Sequence, residues 1–136
     1  MWTKEKIDQL TYEIVGAAIE VHRELGPGLK EAVYEEAMCM ELDSRNIRYA
    51  SQYHFRPSFK GQVLKTACRC DLLVEEVIVA ELKSVSMLHD IDRAQVMNYI
   101  NLLKLPKGIL LNFNVINLAR DGKETYVNDY YRELPD

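Results

Sequence analysis

Three charged residues interrupt two apolar segments in the stretch Asp71–Lys83, which reads Asp-Leu-Leu-Val-Glu-Glu-Val-Ile-Val-Ala-Glu-Leu-Lys. Asp71 begins the first segment. Glu81 and Lys83 end the second, two residues apart and therefore on one face of a strand. Charges removed from water are unfavourable by several kcal/mol unless they are paired or bind a metal. The pattern therefore leaves two interpretations, a divalent-metal site or a Glu81–Lys83 salt bridge beside an exposed Asp71.

The metal interpretation assigns a specific chemistry to these residues. Mg2+ takes oxygen ligands and keeps several waters, so two carboxylates and a backbone carbonyl suffice. A metal held there can activate water and polarise a phosphodiester. Lys83 can offset the negative charge that develops on the phosphorus oxygens or position the attacking water. These roles match the hydrolysis of a phosphate ester.

The two carboxylates can share one metal only if the hairpin has a particular register. A two-residue turn at Glu75-Glu76 would pair Asp71 with Ala80 and place Asp71 and Glu81 on opposite faces. We therefore predict a loop with an odd number of residues, or a bulge that shifts the register.

Hydrophobic periodicity predicts the helices that surround this hairpin. Apolar residues recur at three- and four-residue steps over 3–25, 30–46 and 90–103. Gly26-Pro27-Gly28 separates the first two helices, because Gly26 suits the C-terminal cap and Pro27 cannot continue a helix. In the third helix we expect Ile91, Ala94, Met97, Ile100 and Leu103 to be buried. We expect Glu35, Glu36 and Glu41 to point to solvent.

The remaining segments predict a mixed sheet. Residues 49–59, 63–74 and 77–84 read as three antiparallel strands, with a turn at Lys60-Gly61 and an edge or bulge at Pro57. Residues 108–113 form an apolar strand that follows a helical crossover and should therefore lie parallel to its neighbour. Both faces of the third strand are apolar, so helices should cover both sides. The fold class is α/β with an α+β mixed sheet, in a single domain over residues 1–136.

The composition disfavours membrane, secreted, disulfide-bonded and zinc-binding proteins. The chain has 136 residues, of which 48% are hydrophobic and 28% charged, and no apolar run long enough for a membrane span. The charged N-terminal residues disfavour a secretion signal. Cys39, Cys68 and Cys70 have no spacing typical of disulfides or zinc. We therefore expect a cytoplasmic protein with reduced thiols and no membrane partner.

A basic segment precedes the carboxylates although the net charge is −4. No acidic residue occurs from Ser44 to Cys70, where Arg56, Lys60, Lys65 and Arg69 alternate with aromatic residues. A segment of this kind can follow a nucleic-acid backbone. It can equally be a solvated hairpin whose aromatic residues pack inward.

With these motifs in this order, the chain resembles the PD-(D/E)XK nuclease superfamily, and within it the small GxxExxY family. The GxxExxY signature stands at Gly28 to Tyr34, with Glu31 as its acidic residue. The superfamily motif stands as Asp71 followed by Glu81-Leu82-Lys83, and a QxxxY motif stands at Gln95 to Tyr99. Cys70 replaces the proline that usually precedes the first aspartate.

The resemblance implies a restriction-endonuclease-like core of helix, three antiparallel strands, helix and strand, with an extra N-terminal helix. It implies a metal-dependent nuclease acting on DNA or on RNA, with Mg2+ as cofactor and Mn2+ as a substitute. The implied metal ligands are Asp71, Glu81 and Glu31, the last directly or through water. Lys83 would handle charge or water, and Gln95 and Tyr99 would close the site. Taken alone, Glu31 is simply an acidic residue in the first turn of a helix.

The sequence is also consistent with two other functions. A catalytically silent binding or assembly module would keep the fold and form a homo-oligomer, consistent with the small size and the tyrosine-rich tail. A phosphohydrolase acting on a small nucleotide would use His89 and Asp90. A nuclease this small has no separate recognition domain, so a partner or a homodimer could supply its specificity.

Overall fold

A computed structural model describes residues 1–136. Its centre is a five-stranded mixed sheet, which positions every element discussed below. The strands are β1 (Tyr49–Phe55), β4 (Cys68–Val74), β5 (Ile78–Lys83), β6 (Lys107–Asn112) and β7 (Lys123–Val127), in that spatial order. Only β5 and β6 pair in parallel, and the helix α3 (Asp90–Leu102) connects them. The predicted helical crossover and mixed sheet are therefore confirmed.

Two further helices precede the sheet, and a short one follows it. α1 (Lys4–Leu25) begins at Thr3, whose side chain accepts a hydrogen bond from Lys6 N, and ends at Gly26, with φ of 71°. α2 spans Glu31–Ser44, and α4 spans Asp129–Arg132. No helix combines the length and apolar composition that a membrane span requires.

The segment between β1 and β4 does not extend these two strands, although the sequence predicted long strands over 49–59 and 63–74. It forms a separate small hairpin of β2 (Ser58–Phe59) and β3 (Gln62–Val63). The predicted turn at Lys60-Gly61 is present, with φ of 50° and 81°. The continuous strand fails around Pro57, which has no backbone N–H to donate to a ladder.

The sheet is covered on both faces, as predicted. The larger core cluster joins α1 and α2 to one face, and a smaller cluster joins α3 to the other. The predicted buried face of α3 is partly wrong. Val96 and Ile100 are buried there, whereas Ile91 is 76% exposed and Ala94 is also exposed. Gly108 explains the difference, because a Cβ on Gly108 would lie only 2.5 Å from Val96 Cγ1. Because Gly108 on β6 has no side chain, α3 can pack closely on the sheet with Val96 facing it.

Tyr34 connects α2 to the loop that precedes it. Its ring is fully buried and stacks on Phe113, with ring centroids 4.5 Å apart. Its hydroxyl donates to Gly26 O at 2.6 Å and accepts from Leu29 N at 3.1 Å. These contacts fix the first turn of α2 against the sheet, and Glu31 is the first residue of that turn.

Replacing Tyr34 with Phe tests this connection. The ring remains, but Gly26 O loses its donor and Leu29 N its acceptor, so we expect the free energy of unfolding to fall by about 1–3 kcal/mol. Urea denaturation measures the change. Tyr12→Phe is the matched control, because the Tyr12 side chain is 76% exposed. Equal stability of the two variants would mean that the hydroxyl contacts do not hold the loop.

Candidate active site

The hairpin of β4 and β5 brings the two carboxylates together. Its ladder pairs Val74 with Ile78 and Leu72 with Ala80. Asp71 and Glu81 follow directly on the last of these pairs, and hydrogen bonds between their side chains and the opposite backbone hold them together. The connection is the three-residue loop 75–77, so the predicted odd-numbered loop is confirmed.

Two residues of this loop adopt the left-handed backbone conformation that its tight turn requires. Glu75 and Glu76 have φ of 50° and 57°. The Glu75 carboxylate accepts a hydrogen bond from Arg48 N at 2.8 Å, and Glu75 N donates to Arg48 O at 2.9 Å. The residue just before β1 thus stabilises the loop that sets the register.

The side chains of Asp71 and Glu81 bond to the backbone of the facing strand. Glu81 Oε2 accepts from Asp71 N at 2.9 Å, and Asp71 Oδ2 accepts from Leu82 N at 2.8 Å. One oxygen of each carboxylate is therefore fixed by a backbone N–H. These two hydrogen bonds orient both carboxylates toward the same cleft.

Glu81 is the most perturbed carboxyl group of the site. Glu81 is buried, with only 4% of its surface exposed to solvent. Burial raises the pKa of Glu81 to about 8, with repulsion from the Asp71 carboxylate as the next cause. Without a cation, Glu81 therefore holds a proton near neutral pH.

Lys83 does not form the salt bridge with Glu81 that the simpler interpretation expects. Its ammonium lies 3.6 Å from Asp92 Oδ1 on α3. That separation is longer than a hydrogen bond, so the contact is a loose ion pair. Asp71 is half-buried on an interior strand, so the exposed position that the simpler interpretation gives it is also wrong.

The other residues implied by the resemblance reach the same cleft from both sides of the sheet. Glu31 comes from the start of α2, and Gln95 and Tyr99 come from α3. The Tyr99 ring meets Phe55 edge to face, with centroids 5.2 Å apart. Burial, followed by the Glu81 charge, raises the pKa of Tyr99. Its hydroxyl therefore stays protonated and can donate a hydrogen bond.

The carboxylates in the cleft do not form a complete ligand cage. Across the whole chain, no three His, Cys, Asp or Glu side chains converge closely enough to hold a metal ion. Glu31 lines the cleft without joining Asp71 and Glu81. Cys70 is also close, but burial raises the pKa of its thiol to about 12, which disfavours a thiolate ligand or nucleophile.

Two residues near Asp71 were not expected at the site. Gln52 Nε2 lies 2.5 Å from Glu35 Oε1 and 3.4 Å from Asp71 Oδ1. The prediction that Glu35 points to solvent is therefore wrong. Glu35 follows Glu31 by four residues, and this spacing on a helix could have indicated a shared face. Asp92, the partner of Lys83, was likewise missed.

The basic residues expected to contact nucleic acid lie in the cleft, in the β2–β3 hairpin and beside that hairpin. Arg69 lines the cleft with Asp71 and Glu81. Lys60 lies in the turn of the β2–β3 hairpin, and Arg56 and Lys65 flank its strands. All four are exposed.

The mixed sheet, the flanking helices and the carboxylate–lysine cleft define a nuclease-like α/β protein. A family profile described as the PD-(D/E)XK nuclease superfamily matches residues 8–125. The chain belongs to this superfamily, and its fold is consistent with the predicted restriction-endonuclease-like architecture. No curated protein and no solved structure matches the chain significantly.

Replacing Glu81 with Gln tests the electrostatic analysis. Since the folded pKa of Glu81 is about 8 and its usual value is 4.5, the native state binds the extra proton. The resulting stability is complete below pH 4.5 and is lost as the pH rises through 8. In metal-free buffer we expect the wild type to lose about 2–4 kcal/mol of unfolding free energy between these limits, relative to Glu81→Gln.

Chemical denaturation at pH 5 and pH 8.5 measures this difference. Glu76→Gln is the control, because it makes the same change at an exposed position of the same hairpin. A wild type and a Glu81→Gln variant with parallel pH profiles would contradict the raised pKa.

Proposed function

We propose that this protein is a divalent-metal-dependent nuclease that hydrolyses phosphodiester bonds in DNA, or in RNA. Membership of the superfamily supports nuclease chemistry in general. The observation that supports this site is the facing pair of oriented carboxylates, Asp71 and Glu81, with Lys83 in the same cleft. Residues 1–136 would act as one catalytic domain, and we propose that it falls within the GxxExxY family.

Asp71 and Glu81 would hold the metal. Both provide hard oxygen donors, which suit Mg2+ and Mn2+. A bound ion would lower the pKa of a water molecule and polarise the phosphate. The buried Glu81 carboxyl supports this assignment, because a cation would compensate for the repulsion that raises its pKa. Glu31 would act through a water molecule, since it does not converge with the other two carboxylates.

Lys83 would stabilise charge on the scissile phosphate. Its loose contact with Asp92 holds the ammonium at the cleft without enclosing it, since a quarter of its side chain is exposed. A phosphate oxygen could replace Asp92 as the partner of the Lys83 ammonium, because the Lys83–Asp92 contact is loose. Asp92 also accepts from His89 N at 2.9 Å, which keeps its carboxylate in place.

Tyr99 and Gln95 would close the cleft on the α3 side. Protonated Tyr99 can donate to a phosphate oxygen, and Gln95 offers an amide at an exposed position. Arg69 would hold the neighbouring phosphate, with Arg56, Lys60 and Lys65 farther along the same strand of nucleic acid. Gln52 would steady Asp71 through its contact with Oδ1.

Two substitutions and metal removal test the proposal. We expect Asp71→Asn and Lys83→Ala to reduce cleavage by about a hundredfold or more, because they remove a metal ligand and a charge that stabilises the transition state. EDTA should abolish cleavage, and added Mg2+ or Mn2+ should restore it. Labelled single- and double-stranded DNA and RNA provide the assay.

Asp90→Asn is the matched control for Asp71→Asn. Its carboxylate is fully exposed at the start of α3 and lies outside the cleft. Cleavage that survives in both Asp71→Asn and Lys83→Ala would contradict the proposal. A wild type that neither cleaves nor binds metal by calorimetry would instead favour the catalytically silent module.

A further inference from the structure

The β2–β3 hairpin exposes apolar side chains that contribute nothing to the core. Every residue from Ser58 to Ala67 is exposed. Phe59 is 62% exposed, Val63 is 67% exposed and Leu64 is 40% exposed. Two-residue strands form only a marginal ladder, and packing on the body does not account for these side chains. An aromatic ring at such a position needs another explanation.

Both ends of this hairpin are anchored at the cleft. Phe55, just before it, packs against Tyr99. Ala67, Cys68 and Arg69, just after it, line the cleft together with Asp71. The hairpin therefore stands at the margin of the proposed active site, where it can contact the same ligand.

The basic residues of the hairpin and its flanks form no ion pairs within the protein. Six of the eight arginines form ion pairs, namely Arg23, Arg45, Arg48, Arg93, Arg120 and Arg132. The two exceptions, Arg56 and Arg69, flank the hairpin. Lys60 and Lys65 also have no acidic partner, and Lys60 Nζ lies 5.4 Å from the centre of the Phe59 ring. Four of the eight Lys and Arg side chains that form no ion pair thus lie within or beside this hairpin.

We propose that Phe59 stacks on an unpaired base of the nucleic acid while the surrounding cations hold its phosphates. The complementary partner is therefore a polyanion that carries flat apolar rings. Inside a duplex, each base face is covered by its neighbours, so stacking requires a single strand or an unpaired segment. The inference rests on the proposed function for the identity of the ligand, and it names single-stranded nucleic acid as the preferred substrate class.

Binding without metal tests the inference independently of hydrolysis. Fluorescence anisotropy in EDTA would compare the full chain on a single-stranded DNA, the same sequence as RNA, and the blunt duplex. Loss of one stacked base is expected to weaken single-strand binding of Phe59→Ala by about 5- to 100-fold, while Phe59→Trp keeps it. Duplex binding should change by less than about twofold, because no base face is available there.

Two controls separate stacking from charge and from general damage. Tyr12→Ala removes another exposed aromatic ring, on α1, and should leave binding unchanged. Lys65→Ala should weaken single-strand and duplex binding together and reduce the salt dependence, since it removes a phosphate contact. Phe59→Ala should leave the salt dependence as it is.

Three outcomes would overturn the inference. They are an equal loss of single-strand and duplex binding in Phe59→Ala, no loss at all, and absence of single-strand binding by the wild type. In the second case, a simultaneous loss of self-association would assign Phe59 to a contact between copies of the chain. Phe59-dependent binding by a protein that does not cleave would refute the proposed function alone, whereas cleavage without such binding would refute the inference alone.

Discussion

The enforced proximity of Asp71 and Glu81 is the constraint on which the site depends. A buried carboxylate beside a second carboxylate destabilises a folded chain. Glu81 avoids part of this repulsion by retaining a proton when no cation is present. Nothing in the core requires a carboxyl there, because an apolar residue would continue the pattern of β5. Local instability of this kind is typical of functional sites, where electrostatic preorganisation is retained although it opposes stability.

The surrounding fold preserves that proximity at several levels. The three-residue loop sets the register, and the side chain and backbone of its Glu75 both bond to the backbone of Arg48, the residue before β1. Backbone N–H groups of the facing strands then orient the two carboxylates. On one side Tyr34 positions the start of α2, and on the other Gly108 lets α3 pack closely on the sheet. Both helices therefore reach the cleft from rigid supports.

Charge in this molecule is segregated, which reconciles an acidic chain with a polyanionic substrate. Long-range attraction between the protein and nucleic acid depends on the local potential more than on a net charge of −4. Most arginines are neutralised by acidic neighbours, while Arg56 and Arg69 remain free beside the cleft. Both arginines come from the acid-free stretch 44–70, and Arg69 lines the cleft itself.

The sequence by itself determined the main helices, the hairpin of β4 and β5, and the crossover to β6, because caps, periodicity, turn residues and the two-residue alternation of strands are local signals. The odd-numbered loop followed from the hypothesis that Asp71 and Glu81 share a metal, and only the family resemblance implied that Glu31, Gln95 and Tyr99 join them. Only the tertiary structure decided that α3 turns Val96 and not Ile91 inward, that Glu35 reaches Gln52, and that Lys83 pairs with Asp92. The physical reason is that periodicity defines a face of an element, whereas the shape of its neighbour, such as the gap above Gly108, selects which face is buried.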